Sequence, residues 1–149
     1  MRVSQFLEER QVTFETMLHP PAFTAQKRAR FLHITGRQVI KCVLLASGTG
    51  FILAILRSID QVDLEALGAY LGVPVRLADE DNIADQFRDC ERGAMTPFGS
   101  AYGMRTLLEE SIRPEHFILF EAQQHAVAIR IKCRDFEMLE RPTRCRFKK

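Results

Sequence analysis

Three segments of the chain carry residue types that could do chemistry, and the first centres on Lys41. Lys41 stands inside the apolar run Val39-Ile40-Lys41-Cys42-Val43-Leu44-Leu45-Ala46. A run so rich in β-branched residues predicts a strand that is buried on both faces. Because burying an unpaired ammonium costs several kcal/mol, the Lys41 head must reach water, pair with an acid or face a pocket for an anion. A lysine that protects the edge of a sheet is the alternative, and the run alone leaves it open.

The second segment is the loop Gly93-Ala94-Met95-Thr96-Pro97-Phe98-Gly99. Its two glycines bracket a proline and an aromatic side chain that we expect to be exposed. Glycine lets another molecule approach the backbone closely. Free N–H groups of such a loop could face a carbonyl or an oxyanion. A plain connecting turn is the alternative.

The third segment begins at His125. The alternation of His125, Val127 and Ile129 with smaller or polar residues predicts a strand, and His125 shares its inward face with the two apolar residues. His125 is therefore either a ligand contact or a histidine whose hydrogen bonds are satisfied at a strand end, which is the simpler interpretation.

Conventional catalytic signatures are missing from the sequence. It has no Gly-x-Ser-x-Gly elbow, no Cys-His signature, no P-loop and no dinucleotide fingerprint. Asp81 and Asp85 lie one helical turn apart, but no histidine accompanies them, so we predict neither a metal site nor a cofactor. The four cysteines lack zinc-finger or Cys-x-x-Cys spacing. Without a signal peptide or a long apolar stretch, we expect reduced thiols, no membrane contact and a cytoplasmic location.

The formal charge of +2 is small, but its distribution is uneven. One basic cluster comprises Lys27, Arg28, Arg30 and Arg37. A second lies at residues 141–149, which contain five basic residues and no acid. These last residues could contact phosphates, or they could form a solvated, mobile end, which we expect for a terminus.

Periodicity and capping signals predict interleaved helices and strands. Ser4, Thr24 and Asp63 are expected to cap helices, and Gly36 and Gly72 to end them. Further helical segments are predicted at 80–88 and near Phe136, and strands at 14–18, 39–46, 51–56, 75–77, 101–106, 117–121 and 125–131. The turn at 47–50 makes a central antiparallel hairpin of two of them. This order predicts a single α+β domain with a mixed, mostly antiparallel sheet.

Four motifs, taken in order, resemble the YbaK/ProX family of aminoacyl-tRNA deacylases, which is related to the editing domain of bacterial prolyl-tRNA synthetases. They are His19-Pro20-Pro21-Ala22-Phe23-Thr24-Ala25, the Lys41 strand, Leu77-Ala78-Asp79-Glu80 and the 93–99 loop with its Gly-x-x-x-Pro pattern. The resemblance covers about residues 14–137. It implies a sheet curved into a partial barrel and packed by several short helices. Residues 1–140 would form the editing domain and 141–149 a basic C-terminal tail.

The resemblance also implies a function. Family members hydrolyse, in trans, the ester of a tRNA mischarged with a small amino acid such as cysteine or alanine, here expected on tRNA-Pro. Lys41 would hold the 3′ end of the tRNA, the 93–99 loop would shape the pocket and polarise the carbonyl, and no side chain would serve as a base. The expected catalytic residues are Lys41, Gly93 and Gly99, and the expected substrate contacts are Phe23, Thr24, Met95, Thr96, Pro97, Phe98 and His125.

One departure from the family pattern keeps a second function open. Gln123 stands where the family usually has a small residue, and it could narrow the pocket or block the ester. The alternative is a non-catalytic module that binds aminoacyl-tRNA or a synthetase. His125 resembles a histidine of the alanine-editing branch. The expected partners are the acceptor end of aminoacyl-tRNA and prolyl-tRNA synthetase, and the sequence leaves the edited amino acid and the oligomeric state open.

Overall fold

A computed structural model describes residues 2–48 and 50–149. The helices are α1 (Val3–Glu9), α2 (Ala25–Leu32), α3 (Leu64–Leu71), α4 (Glu80–Gln86) and α5 (Cys133–Glu140), with a short 3-10 helix at Gly99–Tyr102. The strands are β1 (Glu15–Leu18), β2 (Ile40–Ser47), β3 (Gly50–Arg57), β4 (Arg76–Leu77), β5 (Arg105–Glu109), β6 (Phe117–Glu121), β7 (Val127–Lys132) and β8 (Thr143–Cys145).

The strands form two sheets, with the orders β1-β7-β6 and β4-β2-β3-β5-β8. The pairs β3–β5 and β5–β8 are parallel, and the other pairs are antiparallel. The predicted α+β class with mixed, mostly antiparallel pairing is therefore confirmed. Over the described residues the sheets do not close into a barrel. A single parallel bridge between Val39 and Leu119 joins them.

That bridge marks a gap between β2 and β6, which run in the same direction. The backbone N–H of Leu119 donates to the Gln38 carbonyl at 2.9 Å. Within the described residues the two strands form no further ladder. β4 pairs with β2 only at Leu45 and Ala46. The edge of β2 beside Lys41 and Cys42 is thus left without a partner strand.

The local signals of the sequence explain most of the helix ends. Thr24 caps α2 by accepting from the Lys27 N–H at 3.1 Å, and Asp63 caps α3 by accepting from the Ala66 N–H at 3.0 Å. Gly72 ends α3 in the left-handed conformation, at φ 75°. These three predictions are confirmed because each residue supplies the oxygen or the conformational freedom that a helix end requires.

Two other predicted helix ends are wrong. Ser4 lies inside α1, and the residue that precedes that helix, Arg2, makes no side-chain cap. Helix α2 ends at Leu32, four residues before Gly36, and its C-cap is His33, which adopts the left-handed conformation at φ 55°. Gly36 instead packs closely against Ile59, since a Cβ there would lie 2.8 Å from the Ile59 side chain and would require it to shift.

The predicted central hairpin is confirmed, with β2 and β3 in register from Ile40–Arg57 to Ser47–Gly50. Its predicted turn includes Thr49, which lies outside the described residues. The strand predicted at 101–106 is displaced: residues 99–102 form the 3-10 helix, and β5 starts at Arg105. None of the helices in the described ranges is both long and apolar enough to cross a bilayer.

The C-terminal residues belong to the core, so the expectation of a solvated end is wrong for residues 143–147. β8 extends the larger sheet beside β5, and the Phe147 side chain is completely buried. The buried Glu109 carboxylate accepts from the Phe147 and Lys148 N–H groups at 2.7 and 3.1 Å. The basic residues of this segment alternate with Cys145 and Phe147, which is the period of a strand with one buried face.

Candidate functional site

A cavity of about 390 Å³ opens at the unpartnered edge of β2. It is bounded by the start of α2, by β2, by the loop that begins at Gly93 and by the end of β6. Its lining residues are Phe23, Thr24, Ala25, Gln26, Arg28, Ile40, Lys41, Cys42, Ser58, Gly93, Met95 and Glu121. Because side chains alternate along a strand, three consecutive lining residues of β2 mean that the cavity meets the strand edge rather than one face.

Lys41 is a half-buried cation on this edge. Burial lowers the pKa of its ammonium below the ordinary lysine value, and the nearby Asp60 carboxylate partly opposes that shift. Asp60 itself is paired with Arg57 at 2.9 Å. Over residues 2–48 and 50–149 no carboxylate lies within 4.0 Å of the Lys41 ammonium. Lys41, a lysine within an apolar run, therefore faces a cavity and, within these residues, does not form an ion pair. Its charge is available to a ligand.

Two of the lining residues, Cys42 and Gly93, also offer backbone N–H groups. The Ser58 N–H donates to the Val39 carbonyl at 2.8 Å, so the alternation of the antiparallel ladder directs the N–H of Cys42 away from β3. Gly93 adopts φ 85°, a conformation that favours glycine. In the described part of the chain its N–H has no hydrogen-bond partner, whereas the N–H groups of Ala94 and Met95 do. Cys42 and Gly93 can therefore present two N–H groups to an oxyanion.

Glu121 is the centre of a charged cluster that sequence reasoning missed. Its Oε1 accepts from the Met95 N–H at 3.0 Å, and its Oε2 accepts from Arg28 Nη2 at 2.5 Å. His125 Nδ1 lies 3.1 Å from the same Oε2, and His125 Nε2 lies 2.8 Å from the Arg92 carbonyl. Both neighbours of the ring are acceptors, so a ring nitrogen that carries a proton donates to Glu121 or to the Arg92 carbonyl.

The Arg28–Glu121–His125 cluster ties three segments together around the cavity. Arg28 Nη2 also donates to the Ala22 carbonyl at 2.9 Å, and the Ala22 N–H donates to the His125 carbonyl at 2.9 Å. The Arg28 side chain is only 3% exposed. A signal for this cluster was present in the sequence. Arg28 falls on the same helix face as Ala25 and Ala29, and Glu121 directly follows an apolar strand, so both charges needed partners.

Five of the ten predicted site residues line the cavity: Phe23, Thr24, Lys41, Gly93 and Met95. His125 lies directly behind it. The His125 ring is 4.6 Å from the Phe23 ring, and a Cβ on Gly93 would be 3.6 Å from the imidazole. Its position at a strand end with both nitrogens in contact with acceptors matches the simpler interpretation of the sequence. Its neighbours Phe23 and Gly93 both line the cavity.

The other four predicted residues are buried in the protein and do not line the cavity: Thr96, Pro97, Phe98 and Gly99. Phe98, which we expected to be exposed, makes edge-to-face contacts with Phe6, Phe120 and Phe136. At Gly99, a Cβ would lie 2.4 Å from the Thr106 hydroxyl. Gly99 is thus required by close packing in the core, so the second half of the loop anchors the first.

Gln123 does not obstruct the cavity. It adopts φ 70°, which is typical of glycine. Its side-chain oxygen accepts from the Val3 N–H at 3.0 Å, and its carbonyl accepts from the Glu91 N–H at 2.8 Å. The side chain therefore points to α1 and lines a separate depression there. The expectation that Gln123 narrows the pocket is not met.

The cavity thiol is not a conventional nucleophile. Burial raises the pKa of Cys42, and the nearby Glu121 carboxylate raises it further. The thiol is therefore protonated at neutral pH, which is the unreactive form. Within the described ranges no group of three His, Cys, Asp or Glu side chains could hold a metal ion.

Known proteins are similar to this chain in sequence and in fold. Residues 19–139 match the sequence model of the aminoacyl-tRNA editing domain. A proline–tRNA ligase of Thermosipho africanus (strain TCF52B) is 27% identical over 81 residues, which are 54% of this chain and 14% of that enzyme. This chain thus matches only a small part of the ligase.

Solved structures share the fold at low sequence identity. The hypothetical protein APE2540 superposes with a TM-score of 0.89 at 12% identity, over 100% of both chains. A proposed trans-editing enzyme for prolyl tRNA synthetase gives a TM-score of 0.84 at 18% identity, over 99% of this chain and 95% of the other. At these identities the likeness establishes the fold alone.

Proposed function

Because the chain belongs to the aminoacyl-tRNA editing domain family, we propose that it hydrolyses the ester bond of mischarged aminoacyl-tRNA in trans. The observation that carries the proposal is one cavity lined by both Lys41 and Gly93, where, among residues 2–48 and 50–149, the Lys41 ammonium has no ion-pair partner and the Gly93 N–H no hydrogen-bond partner. The cation suits the phosphate or ribose of a tRNA 3′ end, and the N–H suits the oxyanion that forms when an ester is attacked.

In the proposed reaction, Lys41 holds the 3′-terminal nucleotide and places the ester carbonyl beside Gly93. A water molecule attacks the carbonyl carbon, and the N–H groups of Gly93 and Cys42 stabilise the negative charge on the carbonyl oxygen. The bond between that carbon and the ribose oxygen then breaks. The ribose oxygen takes up the proton lost by the water, which releases the amino acid and a tRNA with a free hydroxyl. No side chain of the cavity is assigned as a general base.

The remaining cavity residues would select the aminoacyl group. Phe23, Thr24 and Met95 supply the wall, and His125 supports Phe23 from behind. A volume of about 390 Å³ lies near the lower end of the range of small-molecule sites, roughly 300–1,000 Å³. A small pocket suits a second sieve, since a synthetase discriminates poorly against an amino acid smaller than its own. We propose alanine or cysteine on tRNA-Pro as the substrate, in line with the prolyl-tRNA relatives.

The four buried residues of the loop have a supporting role in this proposal. Thr96, Pro97, Phe98 and Gly99 fix the loop in the core, so that Gly93 and Met95 are held at the cavity. The alternative, a binding module without turnover, depended on Gln123 as an obstruction. Because Gln123 lies outside the cavity, the enzyme is the better supported function.

The test is a panel of tRNA-Pro charged with alanine, cysteine, serine or the cognate proline. Catalytic amounts of the protein should release at least one small amino acid and spare the prolyl ester. If the protein binds the charged tRNAs but releases none of the amino acids, the binding module replaces the enzyme.

A further inference from the structure

A long segment of the chain contains no acid. From residue 16 to residue 59 there is no Asp or Glu, whereas there are six Lys and Arg residues: Lys27, Arg28, Arg30, Arg37, Lys41 and Arg57. This segment includes α2 and the hairpin of β2 and β3, and it supplies nine of the twelve residues that line the cavity. Arg28 and Lys41 lie in the cavity, while Lys27, Arg30 and Arg37 are exposed outside it.

A groove of about 680 Å³ lies beside the cavity on this basic side. We call it the basic groove, and its lining residues are Gln26, Ala29, Arg30, His33, Ile34, Thr35, Gly36, Ser58 and Ile59. Gln26 and Ser58 line both the groove and the cavity. The Gln26 side-chain amide donates to the Ser58 carbonyl at 3.2 Å, so this hydrogen bond lies where the two meet.

The charge of the basic groove is not neutralised. No acidic residue lines the basic groove, and in the described part of the chain Arg30 makes no ion pair. The nearest acid in sequence, Asp60, is held by Arg57. The groove also offers apolar surface, since Ile59 is 47% exposed. A groove that combines cations with apolar surface suits a single-stranded nucleic acid, because the cations contact the phosphates and the bases pack on the apolar surface.

We propose that the basic groove binds the RNA nucleotides next to the one whose ester enters the cavity. This inference rests on the proposed function and adds the path that the RNA takes. Arg30, with His33 beside it, contacts phosphates, and the exposed Lys27 and Arg37 extend the basic surface on either side. A substrate that ends at a single nucleoside cannot reach the groove, whereas a full acceptor end can.

The test compares two substrates of different length. One is misacylated full-length tRNA, and the other is the same amino acid esterified to adenosine. The charge-reversal variant Arg30→Glu should raise KM for the tRNA by about tenfold or more, with the value for aminoacyl-adenosine unchanged. The double variant Lys27→Glu/Arg30→Glu should raise KM for the tRNA further. The slope of log affinity against log salt should fall by about 0.7–0.9 for each phosphate that the variant no longer neutralises. Arg134 is an exposed residue of α5, so Arg134→Glu is the matched control and should leave KM unchanged for both substrates.

The possible failures can be told apart. If the groove variants leave tRNA kinetics unchanged, or affect both substrates equally, the groove is not the RNA path. If the unaltered protein hydrolyses neither substrate, the proposed function fails, and the groove is then judged by binding of uncharged tRNA. Arg30→Glu must weaken that binding and Arg134→Glu must not. Equal binding by the two variants overturns the proposal.

Discussion

Glu121→Gln is the most informative perturbation of the charged cluster. The glutamine keeps the shape of the side chain, but its carboxylate charge is lost and one oxygen becomes an NH₂ group. Two partners of Glu121 are donors, one at each oxygen: the Met95 N–H at Oε1 and Arg28 Nη2 at Oε2. At least one donor must then face the new NH₂ group. The substitution also leaves the Arg28 guanidinium, 3% exposed, without its counter-charge.

The expected cost follows from this burial. Removing one partner of a fully buried ion pair costs about 3–5 kcal/mol. The Glu121 side chain is 16% exposed, and the glutamine oxygen can keep one contact, so we expect a loss of about 2–4 kcal/mol in the free energy of unfolding. For a chain of this size that lowers the melting temperature by roughly 5–15 °C. Turnover per folded molecule should fall as well, because Met95, two residues after Gly93, loses its hydrogen bond to Glu121 and the loop is held less firmly.

Thermal and denaturant unfolding measure the first effect, and single-turnover deacylation of the folded fraction measures the second. The matched control is Glu15→Gln. Glu15 forms an exposed pair with Arg130 at 3.6 Å, which should be worth less than about 1 kcal/mol. If Glu121→Gln is as stable as Glu15→Gln, the carboxylate does not hold the three segments together and the reasoning is refuted.

Three further predictions concern the cation, the loop and the C terminus. Affinity for a non-hydrolysable aminoacyl-tRNA analogue should fall as the pH rises through the lowered pKa of Lys41, because only the ammonium binds the RNA. Lys41→Arg should remove that pH dependence. A pH-independent affinity of the unaltered protein would contradict the prediction. Gly93→Ala and Gly99→Ala should each cost about 1–3 kcal/mol in stability, but only Gly93→Ala should lower kcat per folded molecule, so equal kcat values would exclude a role for Gly93. Phe147→Ala should cost about 3–5 kcal/mol by denaturant unfolding, and a cost below about 1 kcal/mol would mean that the C terminus is not part of the core.

The sequence predicts the elements of this fold well where a local signal decides them. The caps at Thr24 and Asp63 and the strand 117–121 are such cases. It predicts poorly where a distant partner decides. Residues 143–145 form a strand because they pair with the edge of β5. The sequence of residues 141–149 alone does not indicate that pairing partner.

The candidate site shows the same division. Lys41 could be singled out because a charge in an apolar run requires an explanation, and the cavity supplies one. The two halves of the 93–99 loop could not be told apart, since the pattern of glycine and proline does not reveal that Phe98 and Gly99 face the core. The Arg28–Glu121 pair joins residues 93 positions apart, so its geometry arises only from the packing of α2 against β6.

The most direct test of the account is deacylation of misacylated tRNA-Pro by the unaltered protein and by Lys41→Ala. The account predicts release of a small amino acid by the unaltered protein, and a loss of at least about a hundredfold in kcat/KM for Lys41→Ala with an unchanged unfolding transition. Hydrolysis by Lys41→Ala at the unaltered rate would contradict the assigned site, and no hydrolysis of any ester by the unaltered protein would contradict the enzymatic function itself.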